Sequence, residues 1–195
     1  MYQNFIKRAI DIILCVVILP IVAVIGIPIA MMIKISDGGS IFYKDKRYGK
    51  DMEIFDMYKF RSMIENAPDI RNSDGTTYNS ENDPRVTKMG KFLRKTSLDE
   101  LPQFINVLLG DMSIIGPRPS PMGDKSMYPK EFFDKFKVKP GISGYSQAKV
   151  RNNATMEERI KLDKYYVENM SFFLDLKIIL MTILTVIFKK NINRN

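Results

Sequence analysis

From Ile12 to Ile33 the chain runs for 22 residues without a charged side chain. At the helical rise such a run extends about 33 Å, enough to cross the hydrocarbon core of a bilayer. It has no polar face to turn toward water, which disfavours the buried helix of a soluble domain. Pro20 and Pro28 lie inside the run, and a proline removes a backbone donor and bends a helix. Basic residues flank both ends, Lys7-Arg8 before it and Lys34 after it, so lysine and arginine asymmetry does not set an orientation. A re-entrant helix-break-helix hairpin turning at Pro20 resolves that symmetry. Entering and leaving through one face, it leaves all three charges on the cytoplasmic side. A straight crossing fits the hydropathy as well. A secretory signal is disfavoured, because no small-residue cleavage site follows and the chain lacks cysteines for disulfides.

Composition narrows the chemistry. The 195 residues carry a formal net charge of +8 and include no histidine and one cysteine, Cys15, which lies within the apolar run. Histidine-based triads, histidine-bound zinc and thiolate clusters are therefore excluded. Carboxylates, lysines, arginines, hydroxyls and an oxygen-bound divalent cation remain. The basic balance suits a polyanionic partner, such as an anionic membrane surface or a phosphorylated substrate, unless it is only a solvated basic surface. Nucleic acid is not expected, since no recognition motif accompanies the charge.

Beyond the apolar run, Ser36 to Ser40 reads as a turn and a boundary. Residues 41–44 and 53–60 have strand character, with a polar turn between them. Residues 65–85 read as a surface loop, and 89–93 as a short helix weakened by Gly90. Glu100 to Leu109 reads as a helix starting near Asp99, with Pro102 in its first turn and Gly110 just past its end. Pro117-Arg118-Pro119 is extended, Pro140 to Gly144 is a tight turn, and Met156 to Glu168 is a helix. From Phe172 to Phe188 the chain is apolar again apart from Asp175 and Lys177. This segment suits an interfacial helix on a membrane or a core helix with a basic end.

The chemistry centres on Asp99-Glu100, with arginines on either side in sequence. A carboxylate near a helix N-terminus and guanidinium groups is expected to stay ionised at neutral pH. The same surroundings attract phosphate. Such a carboxylate suits a nucleophile toward phosphorus, a metal ligand, or both. A structural reading competes: Ser97 and Glu100 have the spacing of a capping box.

The pair stands in an ordered series of motifs. These are Lys59-Phe60-Arg61-Ser62-Met63, Asp83-Pro84-Arg85, Arg94 to Gln103, Asn106-Val107-Leu108, Gly110 to Ser113, Gly116-Pro117-Arg118-Pro119, Pro140 to Gly144 and Asp175-Leu176-Lys177. The series resembles the bacterial sugar transferases known as small monotopic phosphoglycosyl transferases, from about Phe5 to Thr182. Two positions depart from the family pattern: Leu19 stands where a serine often precedes the hairpin proline, and Val150 where a glycine usually precedes the arginine, here Arg151.

The resemblance implies transfer of a sugar-1-phosphate from a nucleotide sugar, a UDP-sugar, to polyprenyl (undecaprenyl) phosphate at the inner face of the bacterial membrane. Asp99 would be the nucleophile and would associate with Mg2+, and Glu100 would assist. Lys59, Arg61, Arg94 and Arg118, the last held between Pro117 and Pro119, would contact phosphate. Gln147, Arg151 and Asp163 would shape the sugar or nucleotide pocket. The expected fold is α/β, of an α+β kind: a small, mostly helical domain with a short sheet, on the re-entrant hairpin and flanked by interfacial amphipathic helices. The expected division is a membrane segment over 1–36, a cytosolic catalytic domain over 37–171 and an interfacial tail over 172–195. A membrane-attached phosphohydrolase and a non-catalytic scaffold for polysaccharide assembly are the alternatives. The sequence leaves the sugar and a homodimer open.

Overall fold

The computed structural model describes residues 2–70, 78, 80, 83–123, 125–126, 128–150 and 154–187. A π-helical turn, Tyr2–Ile6, leads into one long helix, α1 (Lys7–Asp37), which contains both Pro20 and Pro28. The expected break at Pro20 does not appear: the helix continues through both prolines. Each proline deletes one backbone donor, and the turns on either side carry the helix across it. Helix α1 is long and apolar enough to cross a membrane, and most of its side chains are exposed.

The flanking charges that leave orientation open in the sequence have protein partners. Lys7 is buried and pairs with Asp175 at 2.6 Å. Arg8 donates to the carbonyls of Val107 and Leu108. Lys34 donates to the carbonyl of Gly38 at 2.6 Å, at the helix's own C-terminus.

After α1 come β1 (Phe42–Tyr48) and β2 (Ile54–Phe60), then α2 (Lys88–Thr96), a 3-10 turn (Leu98–Glu100) and α3 (Gln103–Leu109). They are followed by β3 (Ser113–Ile115), β4 (Ser120–Pro121), a 3-10 segment (Lys130–Lys137) and β5 (Gly141–Ser143). Helices α4 (Tyr145–Val150), α5 (Met156–Glu168) and α6 (Phe172–Ile187) complete the described chain. The protein is thus mostly helical, with a three-stranded sheet in the order β2–β1–β4 and a second sheet of β3 and β5.

The contacts gather the chain into two compact units, one of Met1–Leu19, Asp45–Met57 and Gln103–Asn195, the other of Pro20–Lys44 and Tyr58–Pro102. In the first, β1 meets β4 antiparallel, with Arg47 opposite Pro121, and β3 meets β5 parallel, with Ser113 opposite Gly141. The stretch from Pro140 to Gly144, expected as a tight turn, therefore contributes a strand. Its glycines act through their missing side chains: a Cβ on Gly141 would lie 2.0 Å from the Gly116 nitrogen, and one on Gly144 2.2 Å from the Gly116 oxygen. Three apolar groups pack this unit: Cys15, Met57, Val107 and Met112; Ile115, Ala148, Tyr166 and Ile178; and Phe132, Phe136 and Ile160.

Helix α3 ends on Asn106, whose carbonyl takes the backbone N–H groups of Gly110, Asp111 and Met112. Gly110 there has φ +95°, the left-handed stop that the sequence predicts. Helix α5 opens with a complete capping box made by Thr155 and Glu158. Helix α6 buries Asp175 and Ile178 while Phe173, Leu180, Ile183 and Leu184 stay exposed. It is a packed helix with a bare apolar side.

In the second unit, Ile29 and Ile33 of α1, Phe60 of β2 and Leu93 of α2 form the core, joined by Leu98 and Leu101. Gly90, read from sequence as a weakness in a helix, is where α2 meets the chain just after β2: a Cβ there would lie 1.8 Å from the Ser62 carbonyl oxygen. Helix α2 is also longer than expected, because Thr87 caps it by accepting the Gly90 N–H at 2.9 Å.

Candidate active site

Asp99 and Glu100 lie in the 3-10 turn between α2 and α3, not in the first turn of an α-helix. Ser97 explains the difference. Its φ of +58° is left-handed and its N–H closes α2 onto the carbonyls of Arg94 and Leu93. An N-cap needs extended backbone, so Ser97 cannot fill that role, and it makes no side-chain capping bond. The capping-box reading of Ser97 and Glu100 therefore fails. Leu98 and Leu101 pack into the Phe60–Leu93 core, and the acid pair is held between these two apolar side chains.

Within this unit four of the expected site residues come together. Lys59 at the end of β2 donates to Glu100 Oε1 at 3.4 Å, with both side chains largely buried. Arg94 of α2 donates from Nε to Ser62 Oγ at 2.9 Å. Asp99 is 9% exposed. Burial, and then the adjacent Glu100 charge, push its carboxyl up to about 6, while Lys59 and Arg94 pull the other way. Burial thus outweighs the positive surroundings on which the sequence reading relied. Even so, a carboxyl titrating near 6 is roughly nine-tenths ionised at pH 7. Burial likewise lowers the Arg94 guanidinium, against the opposing charges of Asp99 and Asp83.

Arg61 belongs to the same unit but is turned to other groups. Its two terminal nitrogens donate to the two oxygens of Asp37, and Nη1 also reaches Glu65. Asp83 and Arg85 form a buried bidentate pair, and Arg85 also holds the carbonyls of Pro68 and Tyr78.

The remaining site residues belong to the other unit. Pro117 and Pro119 are buried and Arg118 between them is exposed. The Pro117 carbonyl accepts from the Gly141 N–H at 3.0 Å. Asp163 of α5 accepts from Ser146 Oγ at 2.6 Å and lies 3.7 Å from Lys135 Nζ. Burial raises Asp163 and lowers Lys135, and the Arg118 charge lowers Lys135 further. Gln147 of α4 donates to the Ile142 carbonyl at 3.4 Å, and its Oε1 is buried without a partner among the described residues. Arg151 lies outside the described residues. Lys135 and Ser146 did not stand out in the sequence, which marks Lys135 only as one of several lysines in an aromatic segment.

Asp99 and Glu100 bring two hard carboxylates into one turn, and the Glu100 charge helps to raise Asp99. That donor set fits Mg2+, which commonly takes one or two carboxylates and leaves its other positions to water and substrate phosphate. Among the described residues no group of three or more ligating side chains occurs.

A family model described as "Bacterial sugar transferase" matches residues 2–189. The chain is 40% identical over 200 residues to the Escherichia coli (strain K12) "UDP-glucose:undecaprenyl-phosphate glucose-1-phosphate transferase", covering 98% of this chain and 41% of that protein. It is 39% identical over 189 residues to the Aeromonas hydrophila "UDP-N-acetylgalactosamine-undecaprenyl-phosphate N-acetylgalactosaminephosphotransferase", covering 94% and 44%. With the Bacillus subtilis (strain 168) "Uncharacterized sugar transferase EpsL" it shares 38% over 188 residues, covering 96% and 90%. The chain thus spans about two fifths of the length of some relatives and nearly all of another. That match runs across the whole motif series from Lys59 to Lys177, and the chain belongs to the bacterial sugar transferase family.

Proposed function

We propose that the protein transfers a sugar-1-phosphate from a UDP-sugar to undecaprenyl phosphate, in two displacements at Asp99. The observation that carries this reading is a buried Asp99 next to Glu100 in one turn, with Lys59 reaching Glu100 at 3.4 Å and the Lys59 and Arg94 charges acting on Asp99. Relatives named as undecaprenyl-phosphate sugar-phosphate transferases support the substrate classes. In the first step an Asp99 oxygen attacks the sugar-bearing phosphorus and the bond to the bridging oxygen breaks. UMP leaves and a phosphosugar-aspartyl enzyme remains. In the second, a phosphate oxygen of the lipid attacks the same phosphorus, the Asp99–phosphorus bond breaks, and undecaprenyl-diphosphate-sugar forms.

A carboxylate nucleophile divides a difficult phosphoryl transfer into two easier displacements. Burial keeps water from the Asp99 oxygen, and Lys59 and Arg94 offset the charge that gathers as the phosphate approaches. Arg118, exposed on a backbone stiffened by two prolines, is suited to the nucleotide diphosphate. Gln147, Arg151 and Asp163 are assigned to the pocket wall, with Asp163 acting on Lys135 and Ser146. Mg2+ held by Asp99 and Glu100 would neutralise diphosphate charge when bound.

One substrate is a water-soluble nucleotide and the other a lipid, so the enzyme belongs at a membrane surface. The exposed apolar length of α1 and the bare side of α6 support an embedded segment over 1–36 and an interfacial tail over 172–195, around a catalytic part over 37–171. The arrangement we propose is a re-entrant path in which α1 curves at Pro20 without an interruption of the helix, with the catalytic part on the cytoplasmic face of the inner membrane. The product would enter the first membrane step of a polysaccharide or glycoconjugate pathway.

The test is incubation with UDP-sugars, undecaprenyl phosphate and Mg2+, followed by mass spectrometry of the trapped enzyme. UMP release together with a phosphosugar on Asp99, both lost in Asp99→Asn, is the expected result. Retained turnover in that variant overturns the assignment. Nucleotide release at the same rate without lipid would identify a phosphohydrolase instead.

A further inference from the structure

Helix α1 ends on a charged cluster that the reaction as proposed does not use. The Asp37 carboxylate takes both terminal nitrogens of Arg61, one of them at 2.9 Å. Glu65 Oε2 lies 3.4 Å from Arg61 Nη1, and the same carboxylate accepts the Ser40 backbone N–H at 2.9 Å and the Ser40 hydroxyl at 3.1 Å. The Gly39 N–H donates to Asp37 at 3.1 Å, and a Cβ on Gly39 would fall 1.6 Å from Glu65 Oε2. The helix terminus, the turn after it and the end of β2 are thus clasped around one guanidinium whose side chain is 8% exposed.

The charge count speaks against a phosphate site here. Arg61 and Lys34, which also acts on Asp37, bring two positive charges against the two carboxylates, so the cluster is balanced and has no net attraction for a diphosphate. The neighbours of Arg61 along the chain lead instead to the acid pair. Arg61 sits two residues from Lys59, which reaches Glu100 at 3.4 Å. It is next to Ser62, which accepts from Arg94 at 2.9 Å and whose carbonyl receives the Thr87 N–H at the start of α2. Phe60 between them packs on Ile29 and Ile33 of α1 and on Leu93 of α2.

We infer that Asp37 is a positioning residue for the acid pair. It acts through Arg61 to fix the register of Lys59 and Ser62, so Arg61 serves the membrane helix and not the substrate phosphate. This inference rests on the assignment of Asp99 as nucleophile.

The test uses the full chain in lipid nanodiscs and compares Asp37→Asn, Asp37→Glu, Arg61→Lys and the exchange Asp37→Arg/Arg61→Asp with wild type and Asp99→Asn. Single-turnover UMP release, KM for the UDP-sugar and unfolding temperature are read together. Asp37→Asn and Arg61→Lys should lower the rate by about 10- to 100-fold, as expected for a slight misplacement of reacting groups. KM should stay within twofold of wild type, and Asp37→Glu and the exchange should regain most of the rate. A raised KM with unchanged rate in Arg61→Lys would return Arg61 to substrate binding, and wild-type rates in Asp37→Asn would overturn the inference. If Asp37→Asn does not fold, Arg61→Lys and Asp37→Glu decide by the same criteria. An inactive wild type, or an active Asp99→Asn, would strike the functional reading; an active wild type, a dead Asp99→Asn and an unaffected Asp37→Asn would strike this inference alone.

Discussion

Replacing Asp99 by asparagine should make the protein more stable at neutral pH while removing its activity. The folded protein holds the Asp99 carboxyl up at about 6, against 3.8 for the free group, with burial as the first cause and Glu100 as the second. Between those two values the folded state keeps a proton that the unfolded chain releases, so stability falls as pH rises through this window and is flat above it. The full penalty above pH 7 is about 3 kcal/mol. At pH 5 about half remains, and below 3.8 it vanishes. Asparagine has nearly the same shape and does not ionise, so Asp99→Asn escapes the penalty. For a chain of this size, about 3 kcal/mol corresponds to roughly 6–12 °C in unfolding temperature. The assay is thermal unfolding of both proteins in detergent or nanodiscs at pH 8 and pH 5. Chelator should be present, since a bound cation would offset the same charge. The reasoning is refuted if the variant is no more stable at pH 8, or if its advantage is the same at both pH values.

Two further substitutions probe the frame around the site. Asp175 accepts from Tyr2, Lys7 and Tyr166 at 2.5, 2.6 and 2.8 Å. Asp175→Ala would leave buried Lys7 unpaired and should cost about 3–5 kcal/mol, with much of that recovered in Lys7→Met/Asp175→Leu; equal unfolding temperatures for Asp175→Ala and wild type would refute the pairing. Gly90→Ala ought to stabilise an exposed helix by roughly 1 kcal/mol. The Ser62 carbonyl stands 1.8 Å from the added carbon, so a loss of about 1–3 kcal/mol and slower UMP release are expected instead. A stabilised, fully active Gly90→Ala would show that α2 does not meet the Ser62 main chain there.

Local rules read well where a residue acts on its own neighbours. The Gly110 stop, the span of α5 and the non-helical run through Pro117 and Pro119 follow from propensity and turn chemistry. Local pattern misled where distant partners decide. Ser97 and Glu100 have the letters of a capping box, yet Ser97 ends α2, and the working box is at Thr155 and Glu158. Gly141 and Gly144 read as a turn because only β3 and Gly116, far away in sequence, reveal that the first opens a strand and the second follows it. Arg61 and Arg94 look equivalent in the sequence, but the first is claimed by Asp37 and Glu65. Lys7 counts as a membrane-flanking charge until Asp175, 168 residues on, is seen beside it.

The contacts at Gly116, Gly141 and Gly144 bear on how mutational scans of this protein are interpreted. A Cβ on Gly116 would come within 2.4 Å of the Lys139 carbonyl, and those on Gly141 and Gly144 would strike Gly116 in return. Any side chain at these three positions collides with main chain that has no rotamer to move aside. In a survival screen they would tolerate replacement as poorly as a nucleophile does. Intolerance alone would then nominate three atoms-worth of empty space as chemistry, and only a readout of folding separates them from Asp99.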